Sequence, residues 1–159
     1  MKTARILFLF IISTVLISGC ASGEKKLAST SIDIPNVDKY TVLYIQGVDA
    51  NGVSSEATSK YITEGKEIKS FIDKVNNMDV VKPPQKEMTE KVKELNNQGN
   101  YTFVLSDSKK MDNKVYYMNF FKDGSIQFQS TDKKEIIYLS KEKHPELFKE
   151  LKSTLNINF

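Results

Sequence analysis

Side chains able to carry nucleophilic, acid–base or metal chemistry are sparse in this chain. Its 159 residues include one cysteine, Cys20, and one histidine, His144. His144 directly precedes Pro145 and lies beside Lys141 and Lys143, which puts it at the surface start of a helix. A Ser-His-Asp triad would have to use this histidine, and no nucleophile-elbow motif accompanies it. Asp107, Asp112 and Asp123 fall in predicted turns, where aspartate is favoured because its carboxylate bonds the local backbone. No EF-hand spacing, glycine-rich phosphate loop or dinucleotide motif occurs. The expectation is a protein that is not an enzyme, with no bound cofactor and no metal site.

Cys20 sits in a different kind of context. Lys2 and Arg5 give a positive start, and Ile6 to Ile17 is apolar apart from Ser13 and Thr14. The small residues Ser18 and Gly19 then precede Cys20. Charge, apolar run and small cleavage-site residues make a secretory signal. The run falls short of the roughly 20 residues of a transmembrane helix. Ile17-Ser18-Gly19-Cys20 resembles the lipobox of bacterial lipoproteins, with Ile in place of the commoner Leu three positions before the cysteine. The resemblance covers about the first 20 residues. It implies that the Cys20 thiol receives a diacylglyceryl group and that cleavage between Gly19 and Cys20 makes Cys20 the new N-terminus. With Cys20 committed to lipid, a zinc site of the usual His/Cys type is excluded by inventory. Two acyl chains give stable anchoring, since each buried CH₂ contributes about 0.8 kcal/mol and one chain is marginal.

The domain organisation follows. Residues 1–19 read as signal peptide, 20–38 as lipidated N-terminus and tether, and 39–159 as one globular domain. Ala21 to Asp38 is rich in Ser, Ala and Lys, and roughly 15 flexible residues span about 20 Å. The composition is globular, with 40% hydrophobic and 27% charged residues. The net charge of +3 falls to about +1 without Lys2 and Arg5. A near-neutral chain outside the cytoplasm gives no support for nucleic-acid binding. The preference for Lys over Arg and the frequent Asn resemble proteins of AT-rich bacteria, which implies a Gram-positive source and the outer face of the cell membrane.

The expected fold class is α+β: a mainly antiparallel sheet of about five strands with two helices on one face. The principal strands are Tyr40–Val48, Tyr101–Ser106, Lys114–Lys122, Ser125–Ser130 and Glu135–Ser140, all rich in aromatic and β-branched residues. Ser59–Thr63 and Asp79–Lys82 have room for short strands. A helix begins near Glu64 with Thr63 as N-cap and places Ile68, Phe71, Ile72 and Val75 on one face. Another runs from Pro145 to Leu155. Gln85–Gln98 carries Met88, Val92 and Leu95 at helical spacing but on a thin stripe, which leaves a short helix or a mobile excursion open. The order strand–helix–strands–helix resembles the TATA-binding-protein-like arrangement, a likeness of fold that carries no DNA binding.

The Lys122-Asp123-Gly124 hairpin fixes which face is which. A two-residue turn would mix apolar residues and glutamines on both faces. A three-residue loop with Gly124 left-handed pairs Phe120 with Ile126 and Met118 with Phe128. One face then holds Tyr116, Met118, Phe120, Ile126 and Phe128, joined by Tyr101, Phe103, Leu105, Ile137 and Leu139. The other carries Tyr117, Asn119, Phe121, Gln127, Gln129 and Tyr138, joined by Thr102 and Val104. Those six residues are the candidate binding face, because tyrosine offers apolar area and a hydrogen bond together.

The expected function is a membrane-anchored extracytoplasmic binding module for a protein, peptide or glycan, held to the membrane through diacylglycerol on Cys20. The alternatives are an accessory subunit of an envelope complex or, with less support, a cell-envelope hydrolase.

Overall fold

The hairpin built on Gly124 sets the register of Val115–Phe120 (β6) against Ile126–Gln129 (β7). Gly124 adopts φ +87°, the left-handed region that glycine enters without steric cost, and its N–H donates to the Phe121 carbonyl at 2.9 Å. Phe120 faces Ile126 and Met118 faces Phe128, so the three-residue loop gives the segregated register. The computed structural model describes residues 28–129 and 137–159. Cys20 and the lipobox lie outside the described residues, as does the connection expected at Thr131–Lys134.

Among the described residues there are eight strands and three helices. In chain order they are β1 (Ser29–Ser31), β2 (Val42–Gln46), β3 (Ser59–Ile62), α1 (Gly65–Val75), β4 (Asp79–Val81), α2 (Gln85–Glu94), β5 (Tyr101–Ser106), β6 (Val115–Phe120), β7 (Ile126–Gln129), β8 (Ile137–Ser140) and α3 (Pro145–Thr154). All eight strands form one sheet in the order β1-β4-β8-β7-β6-β5-β2-β3, and every neighbouring pair is antiparallel.

The α+β sheet of about five strands with two helices is therefore corrected to eight strands and three helices, and the strand–helix–strands–helix order does not hold. Three short strands extend the sheet at its two ends. β3 extends it beyond β2, and β4 with β1 extends it beyond β8. β1 falls inside the stretch expected as tether. Its own residues are exposed, but Ile32 and Ile34 just after it are buried in the main core. Ile32 exchanges backbone hydrogen bonds with Met78 and Asn77, and the Ile34 N–H donates to Asn76 Oδ1 at 2.9 Å. The globular part thus includes residues upstream of position 39.

The main core lies between one sheet face and two helices. α1 buries Ile68, Phe71, Ile72 and Val75, the four positions its periodicity picks out. Glu64, not Thr63, occupies its N-cap, and no side-chain cap bond forms. α3 starts with Pro145 at its first turn and buries Phe148 and Leu151. Between helices and sheet, Phe103 and Phe120 sit 4.5 Å apart, Phe71 stacks on Phe103 at 5.3 Å, and Phe148 meets Phe120 at 5.8 Å. Offset and tilted ring pairs of this kind add about 0.5–1.5 kcal/mol each beyond area burial.

α2 resolves the open stretch as a helix, and it lies on the opposite face. Met88 is its buried residue, and its Lys91 ammonium stands 4.8 Å over the Phe121 ring. Phe121, Met88, Val104 and Leu139 are buried but stand apart from the main cluster, forming a thin second layer.

Candidate binding face

The second face of the sheet is covered unevenly. Near the β6–β7 hairpin, α2 is pinned by charge. Asp123 accepts Lys91 and Lys143, each at 2.9 Å, and Lys91 also reaches Glu94 at 3.2 Å. Asp123 Oδ1 accepts the Ser125 hydroxyl at 2.6 Å and the Ser125 N–H at 3.0 Å. Partial burial opposes ionisation of this carboxyl, but the bonds from Ser125, Lys143 and Lys91 outweigh it and hold Asp123 well below the usual carboxylate range. The buried Asn100 closes the other end. Its amide donates to the Glu94 carbonyl and its Oδ1 accepts the Lys122 N–H at 2.7 Å, joining the last turn of α2 to the hairpin.

Away from that cluster the face is partly exposed, with Val104 and Gln127 buried within it. Strand register sets one continuous row across it: Tyr61 beside Tyr44, Tyr44 beside Val104, Val104 beside Tyr117. The β6–β7 register carries the row on to Gln129, and Gln129 lies beside Ile137. Six strands at ~4.8 Å make this row about 24 Å long. Tyr61, Tyr117 and Ile137 are 46%, 44% and 37% exposed, which makes them three of the most exposed large apolar residues described. Tyr44 and Tyr61 pack ring to ring at 4.7 Å, with the Lys109 ammonium 6.0 Å from the Tyr61 ring.

Beside this row runs a polar ladder. The Thr102 hydroxyl donates to Asn119 Oδ1 at 2.8 Å, and Asn119 Nδ2 donates to Gln127 Oε1 at 3.0 Å. The Tyr117 backbone N–H donates to Gln129 Oε1 at 3.1 Å. Tyr117, Asn119, Gln127, Gln129 and Ile137 together line a shallow hollow of about 150 Å³. The side chains that β2, β5, β6, β7 and β8 direct to this face include no charged residue. In a chain with 27% charged residues that is a marked local bias.

Four of the six residues singled out in the sequence therefore come together: Tyr117, Asn119, Gln127 and Gln129. Phe121 and Tyr138 do not join them. Phe121 is 0% exposed beneath Lys91 of α2. Tyr138 pairs with Phe128, which turns it to the core side, where it is partly buried against the main cluster. Ile137 and Leu139, expected in the core, face the other way, beside Gln129 and Gln127. A slip of one residue in β8 accounts for all three reversals, because successive side chains alternate faces. Sequence reasoning missed Ile137, Tyr44 and Tyr61 as members of the row. The alternation of Tyr44 with Leu43 and Ile45 was the available signal.

Titratable groups elsewhere shift away from neutrality. Burial, then the Asp107 carboxylate, push the Tyr40 phenol up to about 12, and burial raises Tyr116 as well. Backbone N–H donors from Val53 and Asn51 lower the Asp49 carboxyl. His144 donates its backbone N–H to Gly124 at 2.7 Å and precedes α3, in the role of a connection between hairpin and helix. Among the described residues no group of three or more His, Cys, Asp or Glu side chains is placed to hold a metal ion, and no helix is long and apolar enough to cross a membrane. No known protein family, curated protein or solved structure matches this chain.

Proposed function

We propose that this protein is a lipid-anchored, extracytoplasmic binding module, tethered through diacylglycerol on Cys20, whose ligand lies along the uncovered tyrosine–amide row. The observation that supports this most is the uncharged, partly exposed row from Tyr61 to Ile137 on a face that α2 covers only at one end. Tyr117 and Ile137 are exposed beside a shallow hollow whose accessible lining is mostly apolar, and tyrosine and amide side chains are the adaptable contacts of binding surfaces. The lipobox resemblance supplies the address, and a short chain between Cys20 and Ser29 sets the domain close to the membrane.

Intact mass of the protein extracted from membranes, measured beside a Cys20→Ser form, tests the address. The expected mass begins at Cys20 and carries acyl chains, and Cys20→Ser loses both features. An unmodified chain released into the medium would leave a secreted domain with a free thiol and remove the anchor from the proposal.

A further inference from the structure

β3 ends the sheet beyond β2, and the register shows which of its backbone groups face out. Gly47, one residue past β2, donates its N–H to the Thr58 carbonyl at 2.8 Å. In an antiparallel ladder, alternate residues turn both backbone groups to the same neighbour. Thr58, Lys60 and Ile62 therefore turn theirs toward β2, and Ser59 and Tyr61 turn theirs outward. The Ser59 N–H is already bonded to the Glu56 carbonyl. Within β3, Tyr61 is thus the residue that presents N–H and C=O together on an edge with no second neighbour among the described residues. Sheet edges are commonly guarded by a charged side chain, lysine above all. The lysine of this edge is spent elsewhere: Lys60 Nζ donates to the Leu155 carbonyl at 2.8 Å and to the Asn156 carbonyl at 3.4 Å, at the C-terminal end of α3.

We infer that this edge pairs with the same edge of a second copy of the chain, about a two-fold axis at Tyr61. Such a centre needs one residue that offers a donor and an acceptor in the same direction. Each Tyr61 then gives its N–H to the other's C=O. The flanking pairs follow: Lys60 lies opposite the second copy's Ile62, and Ser59 opposite its Thr63. No like charges stand face to face along the strands, an arrangement that would oppose pairing. The two half-exposed Tyr61 rings lie side by side, and the contact of Tyr44 with Tyr61 at 4.7 Å is repeated beyond the axis. The Lys109 ammonium, 6.0 Å from the Tyr61 ring, is repeated too. Its repulsion is screened at about 0.15 M salt, where the Debye length is about 8 Å.

A foreign peptide gains less from this edge. Peptides bound to sheet edges draw their affinity from a run of main-chain hydrogen bonds. β3 has four residues, and the chain turns into α1 at Gly65. A second copy has the same few groups to satisfy and no more. The opposite edge, β1, offers no equivalent: Ser29, Thr30 and Ser31 carry no ring to lie beside Tyr61, and head-to-tail pairing of β3 with β1 would not close. The axis stands normal to the sheet, so both tyrosine rows lie on one side and join into a single row of about 53 Å at ~4.8 Å per strand. That consequence rests on the binding face proposed above, whereas the pairing stands on the geometry of the edge alone.

Sedimentation equilibrium of the full chain in density-matched detergent, over a range of protein concentrations at about 0.15 M salt, tests the pairing. A short edge makes a weak association, so the native mass is expected to rise with concentration from one protomer and to level at two. Position 61 opposes itself across the axis. Tyr61→Lys and Tyr61→Glu therefore each set like charges face to face, and each is expected to weaken association about tenfold. An equimolar mixture of the two variants is expected to regain the dimer, because opposite charges then meet at the axis, and that recovery shows that both variants are folded. A native mass that stays at one protomer, or climbs past two, overturns the inference. So do variants that associate as the native chain does, or a mixture no better than its components. These outcomes leave Tyr117 and Ile137 untouched, so the binding face stands or falls by its own crosslinking test.

Discussion

Phe121→Ala is expected to lower the free energy of unfolding by about 3–5 kcal/mol, and Tyr117→Ala by less than about 1 kcal/mol. The two residues lie four positions apart on the same hairpin arm, and the sequence offers no reason to separate them. The structure separates them by what α2 covers. Phe121 is 0% exposed and lies under the Lys91 side chain, whose ammonium is held by Asp123 and Glu94. Removing the ring leaves a cavity that α2 cannot fill without breaking that ion cluster, so both the transfer and the cavity contributions are lost. Tyr117 is 44% exposed, and its backbone bond to Gln129 survives the truncation because it uses the main-chain N–H. Chemical denaturation of the two variants beside the native protein decides the matter. A large loss from Tyr117→Ala with little from Phe121→Ala would mean that the covered and free halves of the face are exchanged.

Gly124→Ala is expected to cost about 2–5 kcal/mol, combining left-handed strain of about 1–2 kcal/mol with overpacking of about 1–3 kcal/mol. The site is constrained from two directions. Its φ of +87° disfavours any L side chain, and a Cβ there would come 2.6 Å from Pro145 N and 2.8 Å from Pro145 Cδ. Those atoms belong to the first turn of α3 and have no flexible side chain to move aside. The His144 N–H bond to the Gly124 carbonyl, at 2.7 Å, would be strained at the same time. Gly65→Ala is the control, because nothing lies within 4 Å of a Cβ at that position and the residue begins α1. It is expected to be neutral or to stabilise by about 0.4–1 kcal/mol. Equal denaturation midpoints for the two variants would show that the hairpin does not pack against α3.

The same glycine shows how far the sequence could be read. Lys122-Asp123-Gly124 carries its turn chemistry locally, so the hairpin register, and with it the polar face holding Tyr117, Asn119, Gln127 and Gln129, followed from residues a few positions apart. β8 had no comparable anchor. Its pairing with β7 passes through a connection without a turn-specifying glycine, and Ile137 and Leu139 looked more like core than Tyr138. The ring of Tyr138 nevertheless packs at the core margin, and the two aliphatic residues face the amides. The short strands at the two ends of the sheet were harder still. β1 is Ser-Thr-Ser, a composition that reads as linker, and its place depends on contacts with β4 about fifty residues away. The alternation of Ile32 and Ile34 was the local trace of it, two apolar residues among many polar ones. α2 was visible as a spacing but not as a position. Its site on the second face is set by Asp123 and Asn100, partners that no periodicity within Gln85–Glu94 reveals.

The tyrosine row as the binding surface of an extracytoplasmic module is most directly tested by photo-crosslinking in intact cells. A benzophenone side chain is placed at position 117, at position 137, or at position 149 on the exposed outer side of α3, and irradiated in the full-length protein. Benzophenone inserts into C–H bonds, so the result does not depend on whether the partner is a glycan, a peptide or a protein. Strong, discrete adducts to envelope material from positions 117 and 137, with little from position 149, are the expected outcome. Adducts from position 149 with none from 117 and 137 would contradict the account and move the interaction surface to the helical side of the domain.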